Sequence, residues 1–225
     1  MSKPVVPYIK SNLSKKDQVA QMFDNIAPKY DFLNHFLSLG IDRVWRRKAI
    51  NTLRSIKVKK LLDVATGTAD LAIAANKLSP VEIIGIDIAE EMLNIGKEKI
   101  KKKNLVDSIT LEIGDSENLR FKDNTFDAVT VAFGVRNFAH LEIGLKEMLR
   151  VLNKDGQVVI LEFSKPKKFP IKHLFNFYFK YILPRLGKWF SKDSSAYTYL
   201  PESVNAFPEG NDFIKVLNEI GSVSY

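Results

Sequence analysis

The chain has 225 residues and 45% of them are hydrophobic, which is enough for one well-buried domain and too few for two. It has no cysteine, so disulfides, thiolate metal ligands and cysteine nucleophiles are excluded. Its 34 basic and 26 acidic residues give a formal net charge of +8, which favours an anionic partner without choosing between nucleic acid, phospholipid and an acidic cofactor. With no apolar stretch long enough for a leader or a membrane-spanning helix, we expect a soluble cytoplasmic protein.

Residues 1–56 are predicted to form a helical cap in front of an α/β core. Within them, residues 15–53 have helical patterning that is interrupted at Pro28 and at Gly40. Tyr30 and Asn34 lie four residues apart and would share one face of a helix, where they could close over a substrate. Packing within the cap accounts for Tyr30 equally well.

Residues 57–165 alternate short apolar runs with stretches of helical spacing, which is the pattern of a parallel α/β sheet. The runs are rich in Val, Ile and Leu, as expected for strands that helices cover on both faces. The predicted strands are Leu61–Ala65, Ile83–Ile86, Ile109–Ile113, Phe126–Ala132 and Val158–Phe163. The predicted crossover helices are Asp70–Leu78, Glu90–Lys102 and Leu141–Leu152. The predicted fold class is therefore α/β, a Rossmann-like arrangement with a mostly parallel sheet.

Three residues at the ends of predicted strands indicate a nucleoside site. Gly67 lies in a tight turn between the first strand and a helix, where backbone N–H groups face a ligand. Asp87 ends the second strand, at the position where Rossmann-like proteins place an acid that binds both ribose hydroxyls. Asp115 follows the third strand and would reach the adenine edge. Because ligands gather at the carboxyl ends of parallel strands, the three together predict a nucleoside-shaped cleft.

A purely structural role and a different ligand both compete with this prediction. Asp87 and Asp115 could be helix caps, and Gly67 could be needed only to form the turn. A nicotinamide dinucleotide is the nearest rival ligand, but its pyrophosphate needs a glycine-rich G-x-G-x-x-G turn. The segment Thr66–Asp70 contains a single glycine, which favours a ligand without phosphates.

Residues 166–225 are predicted to form an aromatic and basic lid with a last short helix at Asp212–Ile220. Hydrophobic bulk beside cations in residues 167–192 suits an interfacial helix or a lid over a greasy chain, although a helix packed on the core or a homodimer face accounts for it as well. The lysine runs at 57–60 and 97–103 are interpreted as solvated helix ends and loops. The histidines share no metal spacing with one another or with carboxylates, so no metal site is expected.

Several motifs outside the nucleoside cleft give the sequence a family resemblance. They are Tyr30-Asp31-Phe32-Leu33-Asn34, Leu37-Ser38-Leu39-Gly40 with Trp45, Phe133-Gly134-Val135-Arg136-Asn137, and Arg150-Val151-Leu152 followed by Gly156 and Glu162-Phe163-Ser164-Lys165-Pro166. On these motifs, and across nearly its whole length, the chain resembles the C-methyltransferases of menaquinone and ubiquinone biosynthesis. Chains of that family normally continue past Tyr225, so we expect the final strand of the sheet to be missing from this sequence.

The resemblance implies a class I S-adenosylmethionine-dependent methyltransferase that acts on a polyprenylated quinol. By resemblance, Thr68, Asp87, Asp115 and Ser116 would contact S-adenosylmethionine, with Gly67 in the turn. The acceptor would be demethylmenaquinol, because the chain looks more like the menaquinone branch, and a polyprenyl benzoquinol of ubiquinone biosynthesis is the alternative. Such a substrate would bring the protein into transient contact with the membrane surface.

The chemistry of this transfer singles out two further residues. A ring carbon is a poor nucleophile, so a base or a water-relayed base must take the proton of the quinol hydroxyl, and a cation could stabilise the phenolate. Arg136, just beyond the fourth strand, is the best-placed candidate, and the resemblance implies that it orients an activating water. Asn137 beside it could hold the ring oxygen. Arg136 could equally pair with a carboxylate and only fix the loop.

Two functions outside this family remain open. The charge of +8 would also serve methylation of RNA or DNA. However, enzymes that methylate base amino groups typically carry an Asn/Asp-Pro-Pro-aromatic motif after the fourth strand, and none is present there, so a nucleic-acid partner is not expected. The second function is a non-catalytic module that binds anionic membrane through residues 167–192.

Overall fold

The structure is a computed structural model that describes residues 5–38, 40–166, 168–177, 181 and 195–221. Among these residues, no helix is long and apolar enough to cross a membrane. The strands are β1 (Lys60–Val64), β2 (Glu82–Asp87), β3 (Ile109–Ile113), β4 (Phe126–Ala132) and β5 (Leu152–Leu161). The helices are α1 (Lys15–Leu37), α2 (Ile41–Thr52), α3 (Asp70–Ala75), α4 (Glu90–Lys102), α5 (Leu141–Val151), α6 (Ile171–Phe177), α7 (Ser195–Ala206) and α8 (Asn211–Ile220), with 3-10 turns at Leu53–Ser55, Asn76–Leu78 and Val135–Asn137.

The strands form one sheet in the order β3-β2-β1-β4-β5, and every pairing is parallel. From β1 the chain steps outward through β2 to β3, then returns to place β4 on the other side of β1. This reversal brings the carboxyl ends of β1 and β4 side by side, which is the place where α/β folds bind ligands. The predicted Rossmann-like α/β class is confirmed.

Two apolar clusters, one on each face of the sheet, form the core. Consecutive residues of a strand point to opposite faces. Leu61 therefore packs in a cluster that includes residues of α3 and α4, and Leu62 packs in another that includes residues of α5 and α8. Neither leucine has any exposed surface. Helices cover both faces as predicted, because the strands of a parallel sheet are apolar on both sides.

A third apolar cluster holds the cap against the core. It contains Val19 and Met22 of α1, Met92 of α4, and Tyr199 of α7. Outside this cluster, the cap is anchored by Lys15, whose Nζ donates to the carbonyl of Phe138 at 2.7 Å. The cap therefore packs on the core through both apolar and polar contacts.

The predicted break at Pro28 is wrong, since α1 continues through this residue to Leu37. A proline inside a helix removes one N–H donor and costs about 3 kcal/mol. Ala27 before it is buried and Tyr30 after it joins the third cluster, so packing on both sides of the proline offsets that cost. The break at Gly40 is confirmed: Gly40 has a φ of 75° and α2 begins at the next residue.

β5 begins six residues earlier than predicted, and it ends two residues earlier. Leu152 pairs with Phe126 while Gln157 pairs with Ala128, so residues 153–156 form a bulge within the strand. A polar stretch that contains glycine predicts a turn, but inside a ladder the same stretch can be accommodated as a bulge. Pairing with β4 therefore decides the start of β5.

Candidate active site

The turn after β1 has an unusual backbone. Ala65, Gly67 and Ala69 lie in the left-handed region, with φ of 50°, 54° and 65°. Glycine adopts this conformation at little cost, whereas the two alanines are strained. The amide of Thr66 donates to the carbonyl of Ile86 at 2.9 Å, which fastens the turn to the end of β2. Strained residues of this kind concentrate at ligand-binding sites.

Asp87, at the end of β2, links this turn to α4. Its Oδ2 accepts a hydrogen bond from Gly67 N at 2.8 Å, and its Oδ1 accepts one from Ala89 N at 2.9 Å. Burial raises the pKa of this carboxyl to about 6, although hydrogen bonds from the backbone of Ala89 and Gly67 act in the opposite direction. Asp87 thus joins the turn after β1 to the residue that precedes α4, and it also lines a cavity.

Asp115 and Ser116 follow β3 and line the same cavity. The Oδ2 of Asp115 pairs with Lys16 Nζ of α1 at 2.5 Å, and its Oδ1 accepts a hydrogen bond from Glu117 N at 2.9 Å. Lys16 also approaches the carboxylate of Glu117 at 3.7 Å. The cap is therefore tied by an ion pair to the segment after β3.

This first cavity has a volume of about 670 Å³ and lies at the carboxyl ends of the first four strands. Gly67, Asp87, Asp115 and Ser116 all contribute to its wall. The structure thus brings four of the predicted cofactor residues together in a space that suits a small molecule.

Thr68 is the predicted cofactor residue that does not belong to this wall. Its hydroxyl is buried, donates to Asp31 of α1 and accepts from Lys99 Nζ of α4 at 3.1 Å. Lys99 also pairs with Asp31 at 2.8 Å and with Asp70. The hydroxyl therefore ties α1 and α4 to the turn, and its contact with a cofactor stays a prediction.

The chain turns sharply after β4. Phe133 is left-handed, with a φ of 58°. Gly134 lies so close to Ala65 that a Cβ in its place would come within 2.7 Å of the alanine Cβ. The Phe133 carbonyl accepts hydrogen bonds from Arg136 and, at 3.3 Å, from Asn137 Nδ2. This turn holds both predicted catalytic residues at the carboxyl edge of the sheet.

Arg136 forms an ion pair with Glu162 at 2.8 Å, and each side chain is only 7% exposed. The guanidinium also lies over the ring of Phe163, 5.5 Å from its centroid. Arg136 thus pairs with a carboxylate, which is the arrangement expected if the arginine only fixes the loop. However, Arg136 Nε and Glu162 Oε2 are buried without a hydrogen-bond partner in the part of the chain that the structure describes, so the pair keeps some capacity to bind a ligand.

A second cavity, of about 800 Å³, also has Phe133 in its wall. Its aromatic wall includes Phe133 stacked on Phe163, with 4.6 Å between ring centroids, and Trp45 edge-on to Phe163 at 6.3 Å. The side chains of Tyr30 and Asn34 are hydrogen-bonded to each other. The polar residues of the wall are Tyr30, Asn34, Ser38, Asp42, Arg46, Arg136, Asn137 and Tyr199. All four residues predicted to meet the acceptor thus line one cavity.

The two cavities are adjacent. They share four wall residues, which are Phe23, Tyr30, Phe133 and Asn137. A molecule in the first cavity would therefore lie beside a molecule in the second. Holding two reactants side by side is the main requirement of a group-transfer reaction.

His35, Asp42 and Asp70 come closer together than their spacing in the sequence suggests, with potential ligand atoms within 4.8 Å of one another. His35 Nδ1 is hydrogen-bonded to Asp42 at 2.8 Å. Both carboxylates already form ion pairs, because Arg46 pairs with Asp42 and Lys99 pairs with Asp70. The cluster fits an ion-pair network better than a metal site, and the expected lack of a metal stays a prediction.

Sequence patterning misses three residues that shape this region. Lys99 belongs to a run interpreted as solvated, and that interpretation is wrong for it, because it is only 21% exposed and bridges two aspartates. Its position seven residues after Met92, on the apolar face of α4, is a signal that could have found it. Lys16 and Tyr199 offer no such signal, because their neighbours at the cavities lie far away in the chain.

The fold and the cavities together define a broad class of protein. A parallel sheet of this order with acids at the end of β2 and after β3 is a Rossmann-like architecture, which the class I S-adenosylmethionine-dependent methyltransferases share with dinucleotide-binding proteins. The crystal structure of a putative S-adenosyl-L-methionine-dependent methyltransferase from Methanococcus maripaludis matches with a TM-score of 0.59, covering 100% of this chain and 90% of that one. At 23% identity this likeness shows the fold alone.

Sequence comparison gives the family. The model of the ubiE/COQ5 methyltransferase family matches residues 11–225. A demethylmenaquinone methyltransferase of Bacteroides fragilis is 53% identical over 219 residues, which are 96% of this chain and 89% of the relative. A ubiquinone/menaquinone biosynthesis C-methyltransferase UbiE of Geotalea daltonii is 47% identical over 92% of this chain and 88% of that one. The chain belongs to the ubiE/COQ5 methyltransferase family, and the resemblance is confirmed.

Proposed function

We propose that this protein methylates a ring carbon of demethylmenaquinol, with S-adenosylmethionine as the methyl donor. The junction of the two cavities carries the proposal. One cavity has acidic groups suited to a nucleoside, and the other has aromatic walls with an arginine and an amide. The name of the Bacteroides relative supports a naphthoquinol as the acceptor.

The residues of the first cavity fit S-adenosylmethionine by their chemistry. The Asp87 carboxylate can accept hydrogen bonds from the ribose hydroxyls, while Asp115 and Ser116 would meet the adenine. The raised pKa of Asp87 indicates a buried carboxylate that its backbone donors do not fully stabilise, and ribose hydroxyls would add donors. Gly67 leaves room beside the backbone. Thr68 would act through Asp31 and Lys99, by holding the cap in place.

The acceptor ring would lie in the second cavity, against its aromatic wall. When bound, S-adenosylmethionine supplies the methyl group and leaves as S-adenosylhomocysteine, while the ring gains the methyl group and loses one proton. The side chains of the second cavity align the ring carbon and limit the access of water. Tyr30 and Asn34 would close over the ring from α1.

Arg136 and Asn137 would bind the ring oxygen of the acceptor. Loss of the hydroxyl proton places negative charge on this oxygen and makes the neighbouring ring carbon nucleophilic. The guanidinium, which Glu162 holds at 2.8 Å, would stabilise that charge more strongly in a buried cavity than in water. The Asn137 amide would orient the same oxygen.

We also propose that the region after β5 touches the membrane in which a polyprenylated quinol resides. Phe169, Leu174 and Phe177 are 81%, 65% and 56% exposed, and Lys168 and Lys172 beside them are exposed too. Apolar side chains flanked by cations suit a membrane interface. Much of the aromatic and basic stretch at 167–192 lies outside the described residues. The single domain, the cytoplasmic location and the homodimer stay predictions.

The reaction is tested by incubating the full chain with methyl-labelled S-adenosylmethionine and three acceptors: demethylmenaquinol, a polyprenyl benzoquinol and RNA. We expect label in the naphthoquinol. Label in RNA alone would overturn the substrate class. Calorimetry with S-adenosylmethionine comes first, because a folded protein that does not bind it would leave only the non-catalytic membrane module.

A benzoquinol acceptor is the second candidate, because the name of the Geotalea relative covers ubiquinone as well as menaquinone biosynthesis. Both quinols present a ring oxygen beside the reacting carbon, so the second cavity suits either. Label in the benzoquinol alone would assign the chain to ubiquinone biosynthesis, and label in both quinols would show a shared acceptor site.

A further inference from the structure

Four buried polar atoms lie close to the second cavity and have no hydrogen-bond partner among the described residues. They are Arg136 Nε, Asn137 Oδ1, Glu162 Oε2 and Tyr199 Oη. Folded proteins leave few such atoms unpaired, because an unpaired buried polar group is destabilising. Three of the four residues line the same cavity, so one bound molecule could form hydrogen bonds with all three.

Tyr199 stands out because its ring packs among apolar side chains. It lies in α7, is 3% exposed, and belongs to the third apolar cluster with Met22 and Ile26 of α1. A phenylalanine would pack as well there and would bury no unpaired hydroxyl. Packing therefore explains the ring of Tyr199 but not its oxygen.

The electrostatic surroundings keep this hydroxyl protonated. Burial raises the pKa of Tyr199 to about 12, the Arg136 charge lowers it, and the Glu162 charge raises it. Both charges therefore act on the phenol oxygen. At neutral pH Tyr199 is a neutral donor that lines the same cavity as the arginine proposed to meet the ring oxygen.

We propose that Tyr199 donates a hydrogen bond to the ring oxygen of the acceptor, and that its hydroxyl and Arg136 Nε together bind this oxygen as it becomes anionic. Two donors held in place before the charge develops are an efficient way of stabilising it. The inference rests on the proposed function and extends it, since it names the groups that receive the oxygen of the aromatic acceptor.

The direct test uses 1-naphthol, whose single hydroxyl stands for the ring oxygen, bound to the protein with S-adenosylhomocysteine so that no transfer occurs. Absorbance reports the ionisation of the bound naphthol as pH is varied. We expect its pKa to be lowered in the wild-type complex. In Tyr199→Phe the pKa should rise by about one pH unit, a tenfold weaker preference for naphtholate, since one charge-assisted hydrogen bond is lost.

The comparison of the wild type with Tyr199→Phe reports the effect of the Tyr199 hydroxyl alone. Tyr30, Asp42, Arg46 and Arg136 also line the cavity, and Glu162 acts on Tyr199, but all are the same in both proteins. Tyr199→Phe removes no hydrogen bond present in the described structure, so it should melt at the same temperature as the wild type or higher. Tyr8→Phe is the matched control. It deletes a tyrosine hydroxyl that accepts from Asn25 outside the cavity, and it should leave the naphthol pKa unchanged.

Turnover with demethylmenaquinol provides the second readout. We expect kcat of Tyr199→Phe to fall about 10- to 100-fold, with the acidic limb of its pH profile moved to higher pH and with unchanged affinity for S-adenosylmethionine. Wild-type values of both kcat and naphthol pKa in Tyr199→Phe would overturn the inference. A wild-type protein that binds S-adenosylmethionine but neither methylates the quinol nor binds naphthol would instead contradict the proposed function.

Discussion

At the scale of single residues, Asp87 has a structural role in addition to the one proposed for it with the cofactor. Its two oxygens accept backbone hydrogen bonds from the turn after β1 and from the start of α4. Burial nevertheless raises its pKa to about 6. Any ligand that donates hydrogen bonds to the ionised form must therefore compete with a proton in mildly acidic solution.

We expect the affinity for S-adenosylmethionine to fall about tenfold for each pH unit below 6, because the free protein must lose a proton before ribose hydroxyls can bind the carboxylate. Calorimetry at pH values between 5 and 7 measures this. Asp87→Asn does not ionise, so its binding should be weaker by about 1–3 kcal/mol at pH 7 and nearly independent of pH. Equal affinity of the wild type across this range would remove Asp87 from the ribose site.

A prediction for Arg136 separates its two roles. Arg136→Ala should lower turnover about 100-fold or more while leaving cofactor affinity within about twofold, because the arginine lines the acceptor cavity and not the first one. Steady-state kinetics and calorimetry measure the two effects. Equal losses in both would mean that the loop after β4 has collapsed.

Glu162→Gln is the companion variant, since it leaves the guanidinium in place without its charged partner. We expect a smaller loss of turnover than for Arg136→Ala, together with a lower free energy of unfolding, because a buried cation is left unpaired.

The sequence predicts the site residues that lie at strand ends or in motifs, because both signals are local. Gly67, Asp87, Asp115 and Ser116 do line one cavity. The sequence could not show that the Thr68 hydroxyl is hydrogen-bonded to Asp31 and Lys99, because these bonds depend on how α1 and α4 pack over the turn.

At the scale of elements, α1 is held on the core by polar contacts along its length. Lys16 pairs with Asp115, the Asp24 carboxylate accepts from Glu91 N at 2.9 Å, and Asp31 pairs with Lys99. These contacts connect α1 to the segment after β3 and to the start of α4. Through Lys99 they also connect α1 to the turn after β1. The cap and the first cavity therefore share residues.

Lys99→Met should lower the free energy of unfolding by about 1–3 kcal/mol, because Asp31 and Asp70, which are 28% and 23% exposed, would lose their shared cation. Lys60→Met is the matched control. Its pair with Glu82 is 52% and 41% exposed, so we expect a change within about 0.5 kcal/mol. Urea unfolding compares the two, and equal effects would show that the cluster around Lys99 adds no stability.

Element boundaries separate local signals from tertiary ones. The left-handed Gly40 ends a helix by its own backbone preference, and the break predicted there is confirmed. Pro28 and residues 153–156 carry equally strong local signals, yet α1 and β5 continue through them. Burial of α1 on the third cluster and pairing of β5 with β4 outweigh the local preferences there.

At the scale of the whole molecule, a second buried carboxyl affects stability. Asp63 of β1 is 1% exposed and accepts hydrogen bonds from the hydroxyls of Thr66 and Thr130, each at 2.6 Å. Burial raises its pKa to about 6 in spite of these bonds. The folded protein therefore binds more protons than the unfolded chain between pH 4 and 6, and the contribution of Asp63 to stability falls as pH rises through this window.

Asp63→Asn reveals this contribution, because the variant lacks the titrating group. We expect the free energy of unfolding of the wild type, relative to the variant, to fall by about 2–3 kcal/mol between pH 4 and pH 7. Urea unfolding at several pH values in this range measures it. A difference that grows with pH would mean that the threonine hydroxyls outweigh burial and lower the pKa.

By itself, the sequence determined the order of the strands and of the three crossover helices, the cleft at the strand ends and the family, because periodicity, turn chemistry and motifs are local signals that neighbouring residues carry. Only the tertiary structure decided the second cavity. Tyr30, Arg136 and Tyr199 reach it from α1, from the turn after β4 and from α7. No local pattern relates residues so far apart, and their meeting depends on the packing of the cap and α7 against the carboxyl edge of the sheet.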